Sequence, residues 1–116
     1  MHTEPLKKWV VNAIDEMKGQ NIRVLDVAQL TPMADSFVIV TGNSSRHVSA
    51  LAERIHELAR TQSLHCQIEG RPGSEWILVD LGNVIVHVMT QDMREYYCLE
   101  KLWVNMTPEI LEAAVA

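Results

Sequence analysis

Glu75-Trp-Ile-Leu-Val-Asp-Leu-Gly-Asn-Val-Ile-Val-His-Val-Met89 consists of two runs of β-branched and aliphatic residues about a Gly82-Asn83 turn signal, and it reads as a β-hairpin. A two-residue turn sets Leu81 opposite Val84, Asp80 opposite Ile85, Leu78 opposite His87 and Trp76 opposite Met89. Successive strand residues point to opposite sides of a sheet. One face therefore carries Ile77, Val79, Leu81, Val84, Val86 and Val88, without a polar group, and is the side expected to press onto the core. The other carries Trp76, Leu78, Asp80, Ile85, His87 and Met89. That mixture is too apolar for plain solvent surface and too polar for ordinary core, and is the composition expected of a patch that meets a protein partner. The competing reading lays a helix of the same chain over this face, with its polar groups paired internally. A bulge at the turn would exchange the two faces beyond it.

Working outward, 116 residues is the size of one domain with a real core. A net charge of −5 and a pI near 5.4 disfavour a protein whose main work is gripping nucleic-acid backbone. Arg46, Arg54 and Arg60 are few and interspersed with Glu53 and Glu57, so little direct nucleic-acid binding is expected. An acidic chain suits a basic protein partner better. Cys66 and Cys98 lie far apart with no CxxC and are expected to be free buried thiols in a reducing compartment. The opening Met-His-Thr-Glu-Pro has no basic start followed by an apolar run, and no segment approaches the length of a membrane span, so a cytoplasmic protein is expected.

Upstream, Thr3 can cap a helix with Pro5 in its first turn and Leu6, Trp9, Val10, Ala13, Ile14 and Met17 at helical spacing, stopped by Gly19. Strands are predicted at Ile22–Val27 and Ser36–Thr41, the second apolar enough to be buried on both faces. Pro32 breaks the segment between them. Thr41-Gly-Asn-Ser-Ser-Arg-His47 turns into a helix with Val48, Leu51, Ala52, Ile55, Leu58 and Ala59 on one stripe. A further strand is predicted at Leu64–Ile68. After the hairpin, Asp92 can cap a last helix bearing Met93, Tyr96, Tyr97, Leu99, Leu102 and Trp103, and Thr107-Pro108 starts a short tail. The expected class is α/β (α+β), with one mixed sheet of about five strands and helices packed on it: a single domain over residues 1–103 and a tail over 104–116 that reads as a short helix.

Reactive groups are sparse. The five histidines show no HxxxH or HxH spacing and there is no GxSxG elbow, so no metal, cofactor or catalytic residue is assigned. Strand, Gly42-Asn43-Ser44 turn, then helix is phosphate-binding geometry in outline, although such a turn is also the commonest helix start. Nucleotidyltransferases follow a Gly-Ser turn with Asp-x-Asp to hold metals. No Asp-x-Asp or Glu-x-Glu follows Ser44, and a non-enzyme is the reading preferred over a nucleotide-binding or nucleotidyltransferase-type domain.

Leu30-Thr-Pro-Met-Ala-Asp-Ser-Phe-Val-Ile-Val-Thr-Gly-Asn-Ser-Ser-Arg-His-Val48, Glu69-Gly70, the hairpin from Glu75 to Met89, and Arg94-Glu-Tyr-Tyr-Cys-Leu-Glu-Lys-Leu-Trp103 occur in order over nearly the whole chain to Trp103. In these motifs the chain resembles the ribosomal silencing factor (Iojap-like) family. The resemblance implies a nucleotidyltransferase-like fold without catalytic carboxylates. It also implies a cytoplasmic translation repressor that binds the large ribosomal subunit through its protein fourteen and sterically keeps the small subunit from joining. The second hairpin face is the expected contact, with Trp76 as its anchor and Asp80 and His87 as orienting polar groups. A second copy of the chain is an alternative occupant of the same patch.

Overall fold

A computed structural model of the chain describes residues 2–98. Apolar residues at steps of three and four build α1 (Thr3–Glu16), which buries Leu6, Val10, Ala13 and Ile14. Thr3 does not cap it. His2 holds the cap position without a side-chain bond, and the Thr3 hydroxyl instead donates to Asp35 Oδ2 at 2.8 Å. The chain leaves α1 through Gly19, where a Cβ would run into the side chains of Ile14 and Val40. There follow β1 (Gln20–Asp26), β2 (Ser36–Gly42), α2 (Ser45–Thr61), β3 (Gln67–Glu69), β4 (Trp76–Asp80), β5 (Val84–Thr90) and α3 (Gln91–Tyr97).

The strands form one mixed sheet in the order β1-β2-β5-β4-β3. The central pair, β2 and β5, is parallel and the remaining pairs are antiparallel. Every residue of both central strands is buried, as the nearly unbroken apolar run at Ser36–Thr41 implies. The hairpin has the expected register: Trp76 faces Met89, Leu78 faces His87 and Asp80 faces Ile85, while the Leu81 N–H donates to the Val84 carbonyl at 2.9 Å. Gly82 takes φ 89°, a left-handed conformation open to glycine at little cost. The Asn83 carbonyl accepts from the N–H groups of Asp35 and Ser36, which fastens the turn to the start of β2.

On one side of the sheet, α1 and α2 cover the all-aliphatic face, so Leu6, Val10, Ile14, Val48, Leu51 and Ile55 meet Ile77, Val79, Val84, Val86 and Val88 in one core. His47 joins the two helices: Nδ1 accepts from the Asn43 N–H and Nε2 donates to the Met17 carbonyl, both at 2.9 Å. These partners assign the Nε2–H tautomer.

Two predicted elements shift. The third strand begins at Gln67 instead of Leu64, because Ser63 is left-handed (φ 55°) and the Leu64 N–H still closes the end of α2 on the Ala59 carbonyl. The last helix is capped by Thr90, whose hydroxyl accepts from the Met93 N–H, and ends at Tyr97 where Cys98 turns left-handed. Leu99, Leu102 and Trp103 of the predicted helix, and the tail at 104–116, lie outside the described residues.

Candidate docking surface

The second hairpin face is covered. Leu25, Val27, Ala34, Phe37 and Ile39 pack on Leu78, Ile85 and Met89 to make a second core, with Met33, Trp76, Met93 and Tyr97 at its margin. The expectation of an open patch therefore fails for Leu78, Ile85, His87 and Met89, all buried. The cover comes from the irregular stretch between β1 and β2, together with α3. Sequence pattern does not reveal it, because a segment broken by Pro32 has no periodicity to follow.

Trp76 and Asp80 remain partly accessible. Asp80 is committed locally, for its Oδ1 accepts from the Gly82 N–H at 2.8 Å, an Asx-type closure of the hairpin turn. Trp76 stands at the edge of the second core. Its indole N–H donates to Nδ1 of His87 at 3.3 Å, and its ring packs at a tilt on Tyr97, centroids 4.7 Å apart. Tyr97 meets Tyr96 edge to face at 5.0 Å, and Tyr96 is 80% exposed. Three rings thus run outward from the core margin to solvent, flanked in sequence by the exposed carboxylates Glu75, Asp92 and Glu95. The Tyr96-Tyr97 pair is the part of this surface that sequence reasoning missed; the pair was visible only as apolar helix residues, without the turn that aims it at Trp76.

The helix holding these tyrosines is seven residues long and is held from below. Arg94 is buried, and its Nη1 donates to the Asn21 carbonyl at 2.5 Å and to Thr41 Oγ1 at 2.9 Å. This fixes α3 to both β1 and β2.

His87 lies fully buried beneath Trp76, with Phe37 edge to face at 4.7 Å. Burial among apolar groups disfavours the imidazolium and pushes its pKa from 6.5 down to about 3. Burial, and secondarily the charge of Asp80, pushes the thiol of half-buried Cys66 up to about 11. Cys98 is also free and half-buried.

The Gly42-Asn43-Ser44 turn lines an open crevice of about 560 Å³ at the C-terminal ends of β2 and β5. Its own chain already uses several of the groups that an anion would need. The N–H groups of Asn43, His47 and Val48 are already donated, to His47 Nδ1, to the Ser44 hydroxyl oxygen at 3.1 Å and to the Ser44 carbonyl. Glu75 and Asp92 line the crevice, and among the described residues no Lys or Arg stands in its wall. A phosphate there would meet repulsion. Among the described residues no three His, Cys, Asp or Glu side chains are grouped as metal ligands would be, and no helix is long and apolar enough to cross a membrane.

A mixed sheet with helices does not select a function by itself; similarity to known proteins does. The family described as "Ribosomal silencing factor during starvation" matches residues 1–115. The chain belongs to the ribosomal silencing factor family. One member, the ribosomal silencing factor RsfS of Halalkalibacterium halodurans, is 36% identical over 117 aligned positions, covering 100% of both chains. That of Haemophilus influenzae is 41% identical over 99 positions, 84% of this chain and 97% of its own. A mouse relative named mitochondrial assembly of ribosomal large subunit protein 1 is 36% identical over 75% of this chain and 41% of its own. A crystal structure of a Chromobacterium violaceum protein superposes with a TM-score of 0.85 at 35% identity, covering 93% of this chain and 91% of that one. Membership in the silencing factor family gives the chain a ribosome-associated, regulatory role.

Proposed function

We propose that the protein docks on the large ribosomal subunit through that subunit's protein fourteen, that its bulk occupies space the small subunit needs, and that translation is repressed as a result. It acts by occupancy in the cytoplasm, and no bond is made or broken. The observation that carries the choice of surface is the run of rings from Trp76 through Tyr97 to Tyr96, aromatic and half-open on a rigid apolar bed. Aromatic anchors in desolvated pockets account for much of the binding energy of protein interfaces. Within the six hairpin residues expected to meet the partner, Trp76 makes the contact and Asp80 sits at its rim. Leu78, Ile85, His87 and Met89 act from underneath. Exposed Glu75, Asp92 and Glu95 nearby suit a basic ribosomal surface and favour fast association. In the absence of ribosomes, a second copy is the competing occupant of the same rings.

The deciding experiment is a subunit-joining assay with purified particles. Wild-type protein inhibits joining; Trp76→Ala keeps its circular dichroism spectrum but loses about 2 kcal/mol or more of large-subunit affinity. Inhibition by Trp76→Ala equal to wild type would remove Trp76 from the interface.

A further inference from the structure

His87 presents an unexplained expense. It is fully buried and, among the described residues, its Nε2 has no hydrogen-bond partner and the one hydrogen bond its ring makes is accepted at Nδ1 from the Trp76 indole. With Nδ1 accepting, the neutral ring carries its proton on Nε2, so a buried donor is left unpaired. Such groups are rare and costly in folded proteins. An aliphatic residue would fill the same strand position, between Leu78 and Ile39 of the neighbouring strands, without that loss. The imidazole also meets Phe37 edge to face, which fixes the plane that Nδ1 presents to the indole.

We propose that His87 is a positioning residue for the docking surface: from inside the second core it holds the Trp76 indole, through its N–H, in the orientation in which the ring meets the partner. This rests on the docking role of Trp76 proposed above. The indole is then gripped on two sides, by Nδ1 of His87 within the core and by the ring of Tyr97 on α3.

Two nearly isosteric replacements separate positioning from packing. His87→Leu removes the acceptor and the unpaired donor together; His87→Asn keeps an acceptor at the δ position and buries an amide. If His87 only packs, binding follows stability, and Leu serves better than Asn. If it positions, binding follows the acceptor. The expected result is that His87→Leu is at least as stable as wild type yet binds large subunits about tenfold more weakly, the loss expected of one well-placed hydrogen bond, whereas His87→Asn is less stable and binds within about threefold of wild type. In the free protein, the indole N–H resonance of Trp76, identified by its disappearance in Trp76→Phe, shifts and exchanges faster with solvent in His87→Leu, and does so less in His87→Asn. Unchanged binding and an unmoved indole resonance in His87→Leu overturn the proposal. Normal binding by Trp76→Ala overturns the docking role instead, and the indole resonance still decides whether His87 holds the ring.

Discussion

The two faces of the hairpin are both covered, but in different ways. Beneath α1 and α2 lies a face of six aliphatic residues, closed by long amphipathic helices. The opposite face mixes Leu78, Ile85 and Met89 with His87 and Trp76, and is closed by an irregular stretch and a seven-residue helix. All six residues of the first face are buried. The second combines core with surface: apolar at its centre, it opens at the edge into aromatic rings, which is what a docking surface on a rigid support requires.

The largest expected effect that tests this contrast is Val86→Asp, which puts an unpaired carboxylate at a fully buried position of the aliphatic face. It should cost about 4 kcal/mol or more and leave little folded protein by circular dichroism. A well-folded variant would mean that α1 and α2 do not close the face over Val86. Met89→Ala comes next. On an open patch it would be nearly silent; at a fully buried site it should cost about 3 kcal/mol in urea denaturation. The most gradual effect, smallest over any one step, is read from pH. The folded-state pKa of His87 lies below its unfolded value, so the unfolded chain binds the proton more readily. Stability from this group is whole above about 6.5 and declines by about 1.4 kcal/mol per unit as pH falls toward 3. Comparing wild type with His87→Leu at each pH cancels the carboxylates. Parallel stability curves for the two would mean that His87 titrates normally and that the second core is wetter than its packing implies.

What could be read from the sequence divides along the same line. Alternation through Trp76–Met89 identified the hairpin register and the aliphatic face, because a one-residue slip would have put Asp80 and His87 among valines. The same alternation cannot say what lies over the other face. That depends on Met33 and Ala34, in a segment without a period, and on Tyr97, whose place is set by the Thr90 cap and by Arg94 reaching Asn21 and Thr41. Nor does apolar character name a strand's neighbour: the run at Ser36–Thr41 shows burial on both sides but not that β5 lies parallel beside it. Trp76 could be proposed as an anchor from its type and place. His87 was legible as a polar group on that face, but its depth was not.

The parallel pairing of β2 with β5 bears on how the chain is made. Antiparallel neighbours such as β1 and β2 can zip together as they emerge, whereas Ser36 must wait for Val84 before the middle of the sheet exists. Until then the apolar run from Phe37 to Val40 has one edge unmatched, and it is a site for chaperone capture or for mispairing between nascent chains during synthesis.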